Sequence, residues 1–493
     1  MVSQATRDQY TVTIGIECHV QLKTATKLFA AVGNDAREAD PNTLISHICF
    51  GLPGALPVLN REAVHLAMRA AFALGTPPQK YSAFDRKHYF YPDLPLGYQI
   101  TQFNDPIIRN GFVDIDVDGE TRRIGIHEAH IEADAGKSTH PTGADYSLVD
   151  LNRAGTPLLE IVSTPDMHTA AEARAYVREL YLRMRYADVS DANLYYGNMR
   201  FDVNVSVSKT DELGTRTETK NLNSFRSVEK AVEYEVNRQI EQLELGEAIV
   251  QETRGWDDTK MATFSQRTKE DAHDYRYFPD SDLPPIELDD AHIETVRLEM
   301  PVLPDEWRTR LSALGLDKPA METLLEVELD DPEVSYLALI EESIGDAEFA
   351  KTLGNWIVNF EVPLRRDGKT SMNQSLTNQG RLHAYRETHR LVKDGKLSST
   401  NAKLLLTLIM TGSDQVQDVE ALAKQHNLIQ ESDEGAIAQI VADVLAANPD
   451  AVADFTGGNE RAIGFLVGQI MKQSQGRANP QLAQSLIRKQ LGL

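Results

Sequence analysis

Two spacings of apolar residues divide this chain. Up to about residue 290 they recur mostly at every second position, the period of a half-buried strand. From about residue 291 strand patterns vanish and helical spacing takes over. The clearest alternation lies in residues 198–225. Phe201, Val203, Val205 and Val207 fall on one side of a strand, and Arg200, Asp202, Asn204 and Ser206 on the other. Residues 209–214 are polar and end in Gly, as a hairpin connection should. Residues 215–221 then put Arg216, Glu218 and Lys220 on one face and threonines on the other. Taken alone this is a hairpin with one wet face, but the pattern recurs. Residues 11–23 set Val12, Ile14, Ile16, Cys18, Val20 and Leu22 against Thr13, Gly15, Glu17, His19, Gln21 and Lys23. Residues 124–134 alternate again, with Glu128, His130, Glu132 and Asp134 on one face. Residues 107–123 read as a hairpin around Val117-Asp118-Gly119.

Helical spacing inside this first half marks residues 61–75, 170–186 and 227–245. Residues 28–60 are loop-like, and residues 84–102 read as an ordered aromatic loop. Residues 251–285 are polar and aromatic, with no strand assigned. Pro284-Pro285 and the acidic residues 287–290 mark a boundary. The expected fold class is α+β: a mixed or antiparallel sheet with flanking helices over 1–290, then an all-α half. That half divides into a helical domain, 291–395, and a helical tail, 396–493. Helices are expected at 434–446 and 461–472, and Asn448-Pro449 and Asn479-Pro480 each set an N-cap and a first-turn proline.

A chain of 493 residues exceeds what one core holds. No apolar run is long enough to span a bilayer, and residues 1–10 lack the apolar segment of a secretory signal. Cys18 and Cys49 alone build neither a disulfide framework nor a four-cysteine zinc site. A cytoplasmic protein is expected, without a membrane partner. A net charge of −24 argues against broad nucleic-acid binding and leaves room for local basic patches. One such patch lies in residues 456–493, where Arg461, Lys472, Arg477, Arg488 and Lys489 face a single acid, Glu460, a net of +4.

Glu17 and His19 project side by side from one strand, a workable pair of ligands for a divalent cation. Glu160 interrupts the apolar run Leu158-Leu159-Glu160-Ile161-Val162, and a lone carboxylate there needs a cation or donors to compensate its burial. It is the strongest single metal-ligand candidate; the alternative is a salt bridge to an arginine such as Arg153. Ala135-Gly136-Lys137-Ser138-Thr139 is not a P-loop, because Ile131 stands where the motif needs its first Gly and no helix follows the Ser. No nucleophile–base triad is evident. Oxygen ligands beside Arg and Lys suit Mg²⁺ and phosphate chemistry.

Several long motifs resemble one family. They are residues 14–23 (Ile-Gly-Ile-Glu-Cys-His-Val-Gln-Leu-Lys), 51–57 (Gly-Leu-Pro-Gly-Ala-Leu-Pro), Phe84-Asp85-Arg86-Lys87, Tyr89-Phe90-Tyr91-Pro92-Asp93, Lys220-Asn221-Leu222-Asn223-Ser224-Phe225 and Asp274-Tyr275-Arg276-Tyr277-Phe278-Pro279. Together with residues 462–469 and Ala478-Asn479-Pro480, they are similar in order and content to the B subunit of the bacterial tRNA-dependent amidotransferase. The resemblance runs through nearly the whole chain. It implies that ATP phosphorylates the side-chain carboxylate of glutamyl-tRNA or aspartyl-tRNA and that ammonia displaces the phosphate. It implies an amidase (A) subunit that makes the ammonia from glutamine and channels it, and a small C subunit that completes a heterotrimer. The cradle domain of the B subunit would hold the kinase and transamidase site, and its helical and tail domains the aminoacylated tRNA.

Carried over by motif, Glu17, His19 and Glu160 match metal positions. The family usually has two adjacent acids before its Asp-Ala-Gly-Lys run, the second of them on the metal. Ala133 stands there in this chain, which leaves Glu132 or Asp134 as the substitute. Arg200, Asp202 and Lys220 are the expected catalytic residues, and Asn204, Ser206, Glu218 and Lys23 the expected nucleotide-binding ones, with ATP and Mg²⁺ as cofactors. Many members also build a zinc site from cysteines in this chain's 28–49 region. Only Cys49 is left, so no zinc is expected. The rival reading is a non-catalytic tRNA-binding scaffold, which the Ala133 departure favours. An amidase acting alone is disfavoured, since the Gly/Ser-rich segment and serine–lysine nucleophile of such enzymes are absent. The sequence leaves open which charged tRNA is used.

Overall fold

The alternation at residues 11–23 becomes a strand near the middle of an eight-stranded sheet. In chain order the strands are β1 (Thr11–Gln21), β2 (Ile108–Val117), β3 (Glu120–Ala133), β4 (Pro157–Ser163), β5 (Met199–Ser208), β6 (Thr217–Leu222), β7 (Glu252–Asp257) and β8 (Ala262–Thr268). They lie side by side as β8-β7-β6-β5-β1-β4-β3-β2. Every pairing is antiparallel except β6 with β7, which is parallel. This computed structural model describes residues 2–268, 274–330, 334–368, 371–413, 416–430, 434–474 and 478–493. Residues 269–273 of the aromatic stretch, and Arg477 of the basic tail, lie outside them.

One face of the sheet is sealed. Ile14, Ile16, Cys18 and Val20 on β1, and Phe201, Val203 and Val205 on β5, are at most 1% exposed. At about 1.5–3 kcal/mol for each buried aliphatic or aromatic side chain, this face supplies much of the driving force for the unit. It is covered by helices α1 (Arg61–Ala73), α2 (Ala170–Tyr186) and α3 (Phe225–Glu244). Each helix starts at a side-chain cap: Asn60 for α1, Thr169 in a capping box with Glu172 for α2, and Ser224 for α3. The turn between β2 and β3 has Asp118 and Gly119 both at positive φ, 54° and 85°, as a two-residue hairpin requires.

Three details differ from the sequence reading. β3 cannot alternate without interruption, because Ile124 and Ile126 would then share a face with His130 and Glu132. A bulge between Ile126 and Glu128 resolves the conflict by inserting one residue and exposing His127. Residues 84–102 are not one loop. They hold the strands Asp85–His88 and Tyr98–Thr101, which pair with Phe278–Pro279 in a three-stranded ribbon. Within 251–285, β7 and β8 extend the main sheet. Their inward positions carry Arg254 and Thr263 rather than aliphatic residues, so hydrophobic alternation does not mark them.

The described residues form two compact units, Met1–Pro304 and Asp305–Leu493. The second is helical. A π-helical turn, Ile357–Glu361, places Glu361 in its interior, and a C-terminal cluster gathers Ile437, Val441, Phe455, Leu466, Ile470 and Ile487. Asn479 caps Pro480–Leu491 as expected, its side chain accepting from Gln481 and Leu482. Asn448 does not cap the next helix with its side chain; its amide donates back to the Val444 carbonyl at 2.7 Å.

Candidate functional site

The open face of the sheet carries the polar residues in rows set by strand register. His19 on β1 lies opposite Arg200 on β5 and Glu160 on β4. Glu160 in turn lies opposite His130 on β3. The row Arg200–His19–Glu160–His130 thus crosses four adjacent strands. One step along, Glu17 lies opposite Asp202. Side chains directly opposite one another are close enough to bond, so register assembles this row.

The first cluster is built on Glu160. His19 Nε2 lies 3.5 Å from Glu160 and 3.7 Å from Glu132. His130 Nε2 lies 3.2 Å from Glu160 and 3.8 Å from Glu132. Burial pulls the pKa of both imidazoles down, but the two carboxylates outweigh it. His19 is pushed up to about 9 by Glu160 and then Glu132, and His130 to about 10. Burial likewise pushes Glu160 up, and the paired histidines more than reverse it, holding it well below the usual carboxylate range. Ligand atoms of His19, Glu132 and Glu160 fall within 4.8 Å of one another. One imidazole and two carboxylates suit a hard divalent cation. His130 is the residue sequence reasoning left out of this set, although it shares the Glu132 face; its buried Nδ1 has no hydrogen-bond partner.

The second cluster joins Glu17, Asp202 and Glu218, again with ligand atoms within 4.8 Å. Glu17 therefore groups with these acids rather than with His19 and Glu160. Burial, and then the charges of Glu160 and Glu218, push Glu17 up to about 7. Asn204 donates to it at 3.1 Å. Lys220 reaches Asp202 at 2.8 Å and Glu218 at 2.7 Å. A bulge in the β5–β6 pairing makes this possible. It holds Asn221 at φ 59°, a conformation Asn tolerates, and aims the Asn221 N–H at Asp202, 2.8 Å away.

Arg200 turns to Asp134, 3.2 Å away, and not to Glu218 across the hairpin. Arg153 does not pair with Glu160 but with the same Asp134, at 3.2 Å. Of the two acids flanking Ala133, Glu132 therefore joins the histidines and Asp134 serves the arginines. Beside these clusters runs a cleft of about 260 Å³, lined by Glu17, Asn204, Ser206 and Arg216 and by the apolar Ile16, Val162 and Leu213. Lys23 lies elsewhere: it pairs with Asp188 and lines neither cluster nor cleft.

The aromatic ribbon approaches the other end of the row. Gln99 donates to the Ala133 carbonyl at 2.9 Å. Lys87, which the sequence offers only as part of a motif, lies 5.0 Å from the Tyr275 ring centroid. Burial lowers its pKa, and Glu132, with Tyr277 and Glu160, raises it by more. Tyr277 stacks on Phe103 with centroids 3.9 Å apart.

Residues 12–294 match the family model described as the GatB/GatE catalytic domain, and residues 338–491 match the one described as the GatB domain. The curated relatives span the whole chain. It is 42% identical over 490 residues to the B subunit of the aspartyl/glutamyl-tRNA(Asn/Gln) amidotransferase of Carboxydothermus hydrogenoformans, covering 98% of this chain and 99% of the relative. The proteins of the same name from Brevibacillus brevis and Coxiella burnetii are 43% and 44% identical over 493 and 485 residues, covering 98% and 97% of this chain and 99% of each relative. With both halves of the chain matched and the relatives covered end to end, the chain belongs to the GatB family, the B subunits of tRNA-dependent amidotransferases.

Proposed function

We propose that this chain performs the ATP-dependent activation and amidation of glutamyl-tRNA(Gln), aspartyl-tRNA(Asn) or both. The observation that carries the reading is the charged row Arg200–His19–Glu160–His130 crossing four strands beside an open cleft. Phosphorylation converts the side-chain carboxylate into an acyl phosphate; ammonia then forms the C–N bond as phosphate leaves. Both steps gather negative charge on phosphate oxygens, and such chemistry is governed by positioning and electrostatics. Arg200 and Lys220 supply fixed positive charge. Asp202 aims Lys220 through their 2.8 Å contact, and Asn204 and Ser206 wall the space for the nucleotide. His19, Glu132 and Glu160, with Glu17 beside them, would hold Mg²⁺, which when bound neutralises phosphate charge.

The family name implies a multi-subunit enzyme. In this proposal an amidase subunit delivers the ammonia, a small third subunit completes the heterotrimer, and the helical tail holds the tRNA. Among the described residues no helix is long and apolar enough to cross a membrane. The deciding experiment is the reconstituted complex with each charged tRNA, ATP and either glutamine or ammonium. Amidation from ammonium should require ATP and a divalent cation. A near-normal rate with Arg200→Ala would overturn the catalytic role and leave the chain as a scaffold that positions tRNA.

A further inference from the structure

A lysine and a cysteine lie together in the interior of the first unit, on a cavity whose walls also include Asp134, the partner of Arg200. Lys27 is 1% exposed and Cys49 8%. Lys27 Nζ donates to Cys49 Sγ at 3.5 Å and to the Leu151 carbonyl at 3.2 Å. The Ser46 hydroxyl lies 3.5 Å from the same sulfur. A buried ammonium normally sits against a carboxylate; here a carbonyl and a thiol surround it. Burial pulls the Lys27 pKa down by more than Cys49 and the charge of Asp150 push it up, and the net lowering raises the share of free amine. The cavity that reaches the pair is small, about 40 Å³, room for a molecule the size of water or peroxide, and its walls include Lys27, Cys49, Phe29, Leu94 and Gly155. The other cysteine, Cys18, is sealed in the core.

We propose that Lys27 and Cys49 form a modification site, in which hydrogen peroxide oxidises the Cys49 thiol to a sulfenic acid and Lys27 captures it as a nitrogen–sulfur cross-link. In the first step sulfur gives an electron pair to one peroxide oxygen, the O–O bond breaks, and water leaves. In the second the Nζ lone pair attacks sulfur, the S–O bond breaks, and the departing hydroxide takes a proton from nitrogen as a second water. The thiol and the amine each lose one hydrogen, and one peroxide is reduced to two waters. An added thiol reverses the link: its attack on sulfur frees Lys27 and leaves a mixed disulfide, which a second thiol reduces. Contact between amine and sulfur favours this capture over further oxidation, because the nucleophile is already beside the sulfenic acid. The link ties the 28–60 loop to the segment that follows β1.

The test is peptide mass spectrometry on the purified full chain after graded hydrogen peroxide, with dimedone added to trap sulfenic acid. The expected product joins the peptides carrying Lys27 and Cys49, is lighter than their sum by two hydrogen atoms, and disappears with dithiothreitol. It should form equally in Cys18→Ser. In Lys27→Arg the cross-link should vanish and dimedone should label Cys49 instead. Wild type and Cys18→Ser decide the matter even if the arginine variant folds poorly. A Cys18–Cys49 disulfide, a sulfinic acid with Lys27 free, a linkage that retains an oxygen atom, or an unreacted Cys49 thiol would each overturn the proposal.

Discussion

Two buried carboxylates, Glu160 in the first unit and Glu361 in the second, solve the same problem with opposite chemistry. Glu361 has no exposure. It takes hydroxyl donors from Tyr385 at 2.6 Å and Tyr336 at 3.2 Å, Arg365 at 3.1 Å, and Arg381 in direct contact. Two of those partners are guanidiniums, which keep their proton at any ordinary pH. Glu160 is compensated by His19 and His130, which can lose theirs. The first arrangement is permanent and fixes a core. The second can exchange protons for another cation without leaving a charge stranded. What separates scaffold from site is thus less the buried acid than whether its counter-charges can leave.

The largest expected effect tests that difference directly. Glu361→Ala strands Arg381, which is 3% exposed, and should cost about 3–5 kcal/mol. Glu160→Gln leaves Glu132 beside both histidines and lets them shed protons, so no fixed charge is stranded and the cost should be smaller. Urea unfolding of both variants, with chelator present, measures the gap; equal losses would erase the distinction.

Arg200→Ala comes next, and it moves rate rather than stability. Its partner Asp134 keeps Arg153 at 3.2 Å, so no buried acid is left alone. Amidation from ammonium in the assembled complex should fall by about a hundredfold or more, the usual effect of removing transition-state charge stabilisation. Basal glutamine hydrolysis, which the proposal places on another subunit, should persist. A large stability loss with an unchanged rate would move Arg200 to the scaffold side.

The same contrast explains what was legible in the sequence. Period-two alternation placed Glu17, His19, Asp202, Asn204, Glu218 and Lys220 on one wall, because a sheet with one sealed face imposes that period. It could not divide them into two clusters, which depends on inter-strand register and on the β5–β6 bulge. His130 shares the Glu132 face in the sequence, but its nearer partner, Glu160, is revealed only by the pairing of β3 with β4. β7 and β8 leave no such pattern, for a different reason. Their anchor is polar: Glu235 on α3, with no exposure, bonds Arg238, Arg254, Thr217 and Thr263 where aliphatic packing would have left a pattern.

That anchor yields a smaller effect, read through pH. Burial pushes Glu235 up, but Arg238 and the threonines outweigh it and hold it below 4.5. A depressed folded pKa means its stabilisation is complete above about pH 4.5 and is lost as pH falls through the folded value. Glu328 is the opposite case. Burial raises it, and only Ser335 and backbone N–H donors oppose that. Its contribution is complete below about pH 4.5 and is lost as pH rises through its raised value. Glu235→Gln should therefore flatten the acid limb of stability against pH, and Glu328→Gln should improve relative stability at neutral pH. Parallel shifts in both variants would contradict the link between counter-charge and sign.

The smallest structural effect belongs to the tail, where charges are exposed and compensation counts for little. Arg488 pairs with Glu460 at 2.8 Å, yet their side chains are 44% and 70% exposed, and Arg488 also lies 5.4 Å from the Phe455 ring centroid. An exposed pair of this kind contributes about 0–1 kcal/mol. Reversing Arg488 and Lys489 to Glu should barely move the unfolding midpoint, so any change in tRNA binding reports on the surface and not on folding. If the tail meets the phosphate backbone, the double variant should bind tRNA several-fold more weakly at low salt. The deficit should shrink as salt rises, with the slope of log affinity against log salt reduced by about one for each phosphate no longer neutralised. Affinity unchanged at moderate salt would assign these two residues to the solvated outside of the helix Pro480–Leu491 and move the tRNA-binding surface elsewhere.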